Sequence, residues 1–131
     1  MARRITVSSR ALGPRLKVTC YVYDTVEQMQ RAGEAYNGND LTGCLGVTQA
    51  RTDETGRAVT VLIRLARGHL GTQIISHEMH HATTALYGSL MPERPSRRQH
   101  LSHYNEGFAH LYSDMLHRLV DRLYVLGYYP T

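Results

Sequence analysis

Two-residue alternation is the first pattern along this chain. In "RLKVTCYVY" the residues Leu16, Val18, Cys20 and Val22 fall on one side, and Lys17, Thr19, Tyr21 and Tyr23 on the other, as in a half-buried strand. "RITVSS", just upstream, reads as a partner strand. The alternation breaks at Asp24. There "DTVE" offers Asp24 as an N-cap with Glu27 three residues on, and Val26, Met29, Gly33 and Tyr36 recur at helical spacing until "NGN" stops the run. A helix over about 25–37 is predicted, covering one face of a sheet.

Residues 44–66 read as a hairpin: "CLGVTQA", a polar turn "RTDETGR", then "AVTVLIRLA", rich in β-branched residues. Val59, Val61, Ile63 and Leu65 share one face, leaving Thr60, Leu62 and Arg64 on the other. Helical spacing returns in "GHLGTQIISHEMHHATTALYG", where Leu70, Ile74, His77, His81 and Ala85 lie near one stripe and Gly88 is a stop signal. That predicts a helix over about 70–87. Residues 88–103, polar and with two prolines, form a connecting loop. A last helix over about 104–126 follows, striped by Phe108, Tyr112, Met115, Leu119, Leu123 and Leu126. The predicted order is β-β-α-β-β-α-α, an α+β fold in a single domain over residues 1–131.

Composition changes this picture little. A chain of 131 residues buries roughly two-thirds of the surface its unfolded form exposes. Hydrophobic content of 42% and charged content of 20% are ordinary for a soluble domain. No apolar run approaches the ~18 residues of a membrane span, and "MARRITVSSRALG" lacks the apolar segment of a secretory signal. Cytoplasmic residence without a membrane partner is expected. Cys20 and Cys44 sit in apolar contexts and read as buried thiols. The net charge of +4 looks scattered apart from "PERPSRR" at 92–98, which permits an acidic partner without demanding one.

Histidine is the exception. The chain has eight, gathered in its C-terminal half. Successive helical residues turn by about 100°, so His77 and His81, four apart, project from one face and can reach one ion at roughly 2.0–2.1 Å. His77-Glu78-Met79-His80-His81 matches H-E-x-x-H. A His77–His80 pair is geometrically open, but it would leave the glutamate without a task. Glu78 lies about 60° from His81 around the helix and can reach a metal-bound water. Zinc lowers the pKa of such a water towards ~7, a neighbouring carboxylate takes its proton, and the hydroxide attacks a carbonyl polarised by the ion. The competing reading is an exposed helix face of solvated histidines; against it, Ile74, Ile75, Ala82 and Ala85 flank the motif.

A catalytic zinc needs a third protein ligand with one position left open. "HYNEGFAHLYSDM" offers Glu106, with Gly107 and Ala109 small enough to let its helix pass close to the first. Taken together, His77-Glu78-Met79-His80-His81 and Asn105-Glu106-Gly107-Phe108-Ala109 resemble the gluzincin branch of zinc metallopeptidases, especially the minigluzincins and the small peptidases that cleave bacterial repressors. The resemblance covers about residues 58–113. It implies a zincin-like fold: a small twisted sheet with a backing helix, an active-site helix and a glutamate-bearing C-terminal helix. It implies one Zn2+ per chain on His77, His81 and Glu106, with Glu78 as general base. It also implies that strand 58–66 is the sheet edge along which a protein or peptide substrate lies. Leu62 and Arg64, on the second face of that strand, are expected to face the cleft as substrate contacts. Metzincin spacing is excluded by Thr84 and Tyr87.

Many gluzincins carry an aspartate four residues after the glutamate ligand, where this chain has His110. Orientation of a ligand, competing ligation and plain packing are all open to His110. His100, His103 and Tyr104 are candidates to donate to an oxyanion, while His69 and His117 read as solvated. The tail "LYVLGYYPT" reads as packing on the core or lying across the cleft. A different class of function is a zinc-bound regulatory or binding protein without turnover; Glu78 argues for the enzyme. Arg94, Arg97 and Arg98 make nucleic acid a secondary contact and not a primary partner.

Overall fold

Ala2–Ser9 (β1) and Leu16–Tyr23 (β2) pair antiparallel, with Ile5 opposite Cys20 and Val7 opposite Val18. A computed structural model describes residues 2–90 and 105–129. The helix Val26–Asn37 (α1) begins one residue later than the sequence suggests: Thr25 is its N-cap, accepting from the Gln28 N–H. Asp24 pairs instead with Arg67 at 3.2 Å. Gly38, at φ 79°, ends the helix by returning its N–H to the Glu34 carbonyl, a left-handed stop that glycine adopts at little steric cost.

Gly46–Thr52 (β3) and Ala58–Ala66 (β4) form the predicted hairpin around a turn organised by Asp53, whose carboxylate accepts from the N–H groups of Thr55 and Arg57. The sheet order is β1-β2-β4-β3, with β2 and β4 parallel. Strand 58–66 is therefore interior, not the edge that the resemblance implies. Its sequence explains the placement, because all six residues Val61–Ala66 are buried, as suits a strand covered on both faces. The edge beside it is the more polar β3, which carries a bulge between Arg51 and Thr52. Val59, expected on the core face, is 63% exposed where β4 enters the sheet.

Thr72–Gly88 (α2) and Asn105–Val125 (α3) pack on one face of the sheet. Ile75, Met79, Ala82 and Leu86 from α2 meet Leu111, Met115, Leu119 and Leu123 from α3 over Ile5, Val7, Val18, Cys20, Val61, Ile63 and Leu65. α2 runs through Gly88 to Ser89, so Gly88 is not a left-handed stop. α1 covers the opposite face, with Met29 fully buried. Both cysteines are free, and burial pushes the Cys20 thiol up to about 12. The Ser9 hydroxyl donates to Asp114 and so ties the end of β1 to α3. Past α3 the chain turns at Gly127, the Tyr128 N–H bonds the Leu123 carbonyl, and Tyr129 packs on Tyr124. Up to Tyr129 the tail folds back on its own helix and stays clear of the cleft. Among the described residues no helix is long and apolar enough to cross a membrane.

Candidate metal and catalytic site

α2 lies beside β3 with its histidine face turned to the open edge of the sheet. Gly46, Val47, Thr48 and Ala50 from the strand and His77, Glu78, His81 and Ala85 from the helix line an open cleft of about 420 Å³. Alternation on β3 directs Gly46, Thr48 and Ala50 towards α2, because they sit opposite Leu65, Ile63 and Val61 of the core face.

His77 and His81 are exposed, and their Nε2 atoms stand 3.2 Å apart. Two imidazole nitrogens that bind one ion tetrahedrally at about 2.0–2.1 Å are separated by about 3.3 Å. The pair thus fits a metal at the i, i+4 spacing. His80 points elsewhere, its ring 5.2 Å from that of Phe108 and 5.9 Å from that of Tyr112, so it belongs to the α2–α3 contact.

Glu78 is only 7% exposed. Its Oε1 lies 2.8 Å from the Thr48 hydroxyl, which also stands 2.9 Å from the Glu78 carbonyl oxygen. One hydroxyl proton serves one of these acceptors at a time. Gly46 sits against the same side chain: a Cβ built there would be 3.2 Å from the Glu78 Cγ and 3.4 Å from Oε2. Sequence reasoning misses Thr48 and Gly46. Their only sequence signal is the alternation of "GVTQA", and their partner lies about thirty residues away.

Glu106 is not brought to the histidine pair. It lies in the first turn of α3 with its side chain 75% exposed and 3.5 Å from His110, itself 70% exposed. Among the described residues no three His, Cys, Asp or Glu side chains converge on one ion position. His110 lines a different cleft, with Arg10, Ser113, Asp114 and His117. His117 pairs with Asp121 at 3.3 Å, and His69 is half-buried in the turn after β4. His100, His103, Tyr104, Arg94, Arg97 and Arg98 lie outside the described residues. Gly107 does pack closely against α2, a Cβ there falling 2.7 Å from the Tyr87 hydroxyl, whereas Ala109 is exposed.

Leu62 and Arg64 are buried on the face that α1 covers, away from the cleft. Arg64 donates through Nε to Gln49 and through Nη1 to Tyr23, both at 2.7 Å, and Gln49 donates to the Gly33 carbonyl. Arg64 joins α1 to the sheet. It is not a substrate contact, because strand alternation sends it to the side opposite His77. No family model matches the chain, and no match is found among curated proteins or solved structures.

Proposed function

We propose that the chain is a zinc-dependent peptidase with a zincin-like arrangement, in which His77 and His81 hold the metal and Glu78 is the general base. The observation that carries this reading is the 3.2 Å convergence of two imidazole nitrogens in a cleft that also contains a buried carboxylate. Zinc, when bound, would supply an acidified water and a Lewis acid for the scissile carbonyl. Glu78 takes the proton of the attacking water and passes it to the leaving nitrogen. Thr48 holds the carboxylate on the strand side. β3, an edge strand among the described residues, offers that edge to an extended peptide, which brings a substrate main chain past His77 and His81. The carboxylate of Glu78 beside the histidine pair favours turnover over a purely regulatory zinc protein.

Glu106 is the third ligand that the gluzincin resemblance implies. A site built that way needs its carboxylate to exchange His110 for the ion. Metal analysis tests the ligand set: about one zinc per chain in wild type, lost in His77→Ala and His81→Ala and sharply reduced in Glu106→Ala. Unchanged zinc in Glu106→Ala would move the third ligand elsewhere, and no zinc in wild type would remove the reading. Glu78→Gln should keep zinc while losing cleavage of a digestible protein such as casein.

A further inference from the structure

We propose that the β1–β2 hairpin is a docking surface for nucleic acid, gripped through the phosphate backbone. Counted along the chain, the basic surplus looks scattered; counted by element, it is not. Residues 2–23 carry Arg3, Arg4, Arg10, Arg15 and Lys17 and no aspartate or glutamate. The whole chain has fifteen basic and eleven acidic residues, so beyond the hairpin ten basic residues face eleven acidic ones. The net charge of +4 is therefore the work of this one element. All five cations are exposed, and among the described residues no ion pair joins any of them to an acid. Asp114, which reaches the hairpin through Ser9, is already held by Arg118.

The geometry puts Arg4 and Lys17 on one face, while Arg3, opposite Val22, lies on the other side of the same edge and Arg10 lines the cleft beside α3. β1 is an edge strand, with Arg4 opposite Tyr21 and Ser8 opposite Lys17. Arg4, Thr6 and Ser8 form a row on the face that carries α1, and Lys17 closes that row beside Ser8. At about 3.3 Å per residue along β1 and about 4.8 Å across to β2, Arg4 and Lys17 lie roughly 14 Å apart. Arg10 and Arg15 flank Gly13, whose φ of 101° reverses the chain at the tip. This edge is the one opposite β3, so a polyanion held here leaves the histidine cleft open. Nothing in the proposal depends on zinc or on peptidase activity.

The chemistry favours phosphates over the other polyanions. Four of the five cations are arginines, whose forked donors match phosphate oxygens, and the intervening Thr6, Ser8 and Thr19 are hydroxyl donors of the kind that contact a nucleic-acid backbone. A membrane surface would call for apolar anchors as well. Among the described residues the exposed large hydrophobics are Leu45, Val59, Leu90, Tyr124 and Val125, and none of them is on the hairpin.

The test is fluorescence anisotropy of a labelled mixed-sequence duplex of about 20 base pairs, titrated with the full chain across a salt series beginning near 50 mM. Wild type should bind in the range of about 10⁻⁴–10⁻⁶ M, with an affinity that falls steeply as salt rises. Arg4→Glu combined with Lys17→Glu should weaken binding at least tenfold and make the log–log salt slope shallower by about 2 units, since each phosphate contact contributes about 0.9. Circular dichroism melting of that variant should match wild type, because both positions are exposed. An Arg94→Ala, Arg97→Ala, Arg98→Ala variant should bind the duplex as wild type does. The proposal is overturned if wild type leaves the duplex free at low salt, if the hairpin variant binds unchanged, or if poly-glutamate or phosphatidylserine vesicles bind and the duplex does not.

Discussion

Thr48 and Gly46 set where the carboxylate of Glu78 can go. Thr48 supplies the donor that a buried carboxylate requires, and Gly46 leaves the room it occupies. Thr48→Val keeps the shape and removes the donor, so it should destabilise the fold by about 1–3 kcal/mol, read as a lower urea midpoint. Thr48→Ser should recover most of that loss. Gly46→Ala should cost a similar amount, about 1–3 kcal/mol, by forcing Glu78 and Ile74 aside. A Gly46→Ala variant as stable as wild type would show that the strand and helix have slack between them. At this scale the motif is legible and its support is not. His77, Glu78 and His81 declare themselves by spacing along one helix, whereas a threonine thirty residues upstream has no local pattern that marks it as their neighbour. Arg64 fails in the opposite direction, since alternation places it on the correct side of its strand while the sequence cannot say which side faces the cleft.

Two of the contacts between elements can be tested directly. The first is Ser9 with Asp114, where the Ser9 hydroxyl, and then Arg118, hold the carboxyl below the usual carboxylate range. A folded value below the unfolded one means stability that is present above about pH 3.9 and disappears as pH falls through the folded value. Ser9→Ala and Asp114→Asn should therefore melt below wild type near pH 7 and converge on it in acid. A gap of equal size at about pH 2 would show that the contact acts by packing instead. The second contact is Gly107 on Tyr87. Alanine there would gain up to about 1 kcal/mol of helix propensity, yet its Cβ would fall 2.7 Å from the buried Tyr87 hydroxyl. Gly107→Ala should lower the melting temperature, and adding Tyr87→Phe should recover part of the loss; a rise in melting temperature would mean that α3 shifts freely on α2. Boundaries in the sequence are good to one or two residues, as the displacement of the α1 cap from Asp24 to Thr25 shows. Capping depends on which of two adjacent polar side chains the backbone turns inward, and composition does not decide that.

For the molecule as a whole, the order of elements and the α+β class follow from period-two and period-3.6 patterning, but the order of strands in the sheet does not. Both strands of the 44–66 hairpin suit an edge locally; the apolar run Val61–Ala66 favours the interior for the second of them, and only the parallel pairing of β4 with β2 makes that placement definite. That pairing also puts β3 at the rim, beside the histidine cleft. A rim that can accept one extended chain can accept another copy of the same chain, so the strand that would receive a substrate is also a template for aggregation. Exposed Arg51 and the bulge at Arg51/Thr52 limit the flat length on offer. Arg51→Val removes the charge and adds a β-branched apolar side chain to the rim; light scattering at raised concentration should show self-association in that variant and none in wild type. Openness at this rim is tolerable only while it stays short, charged and uneven.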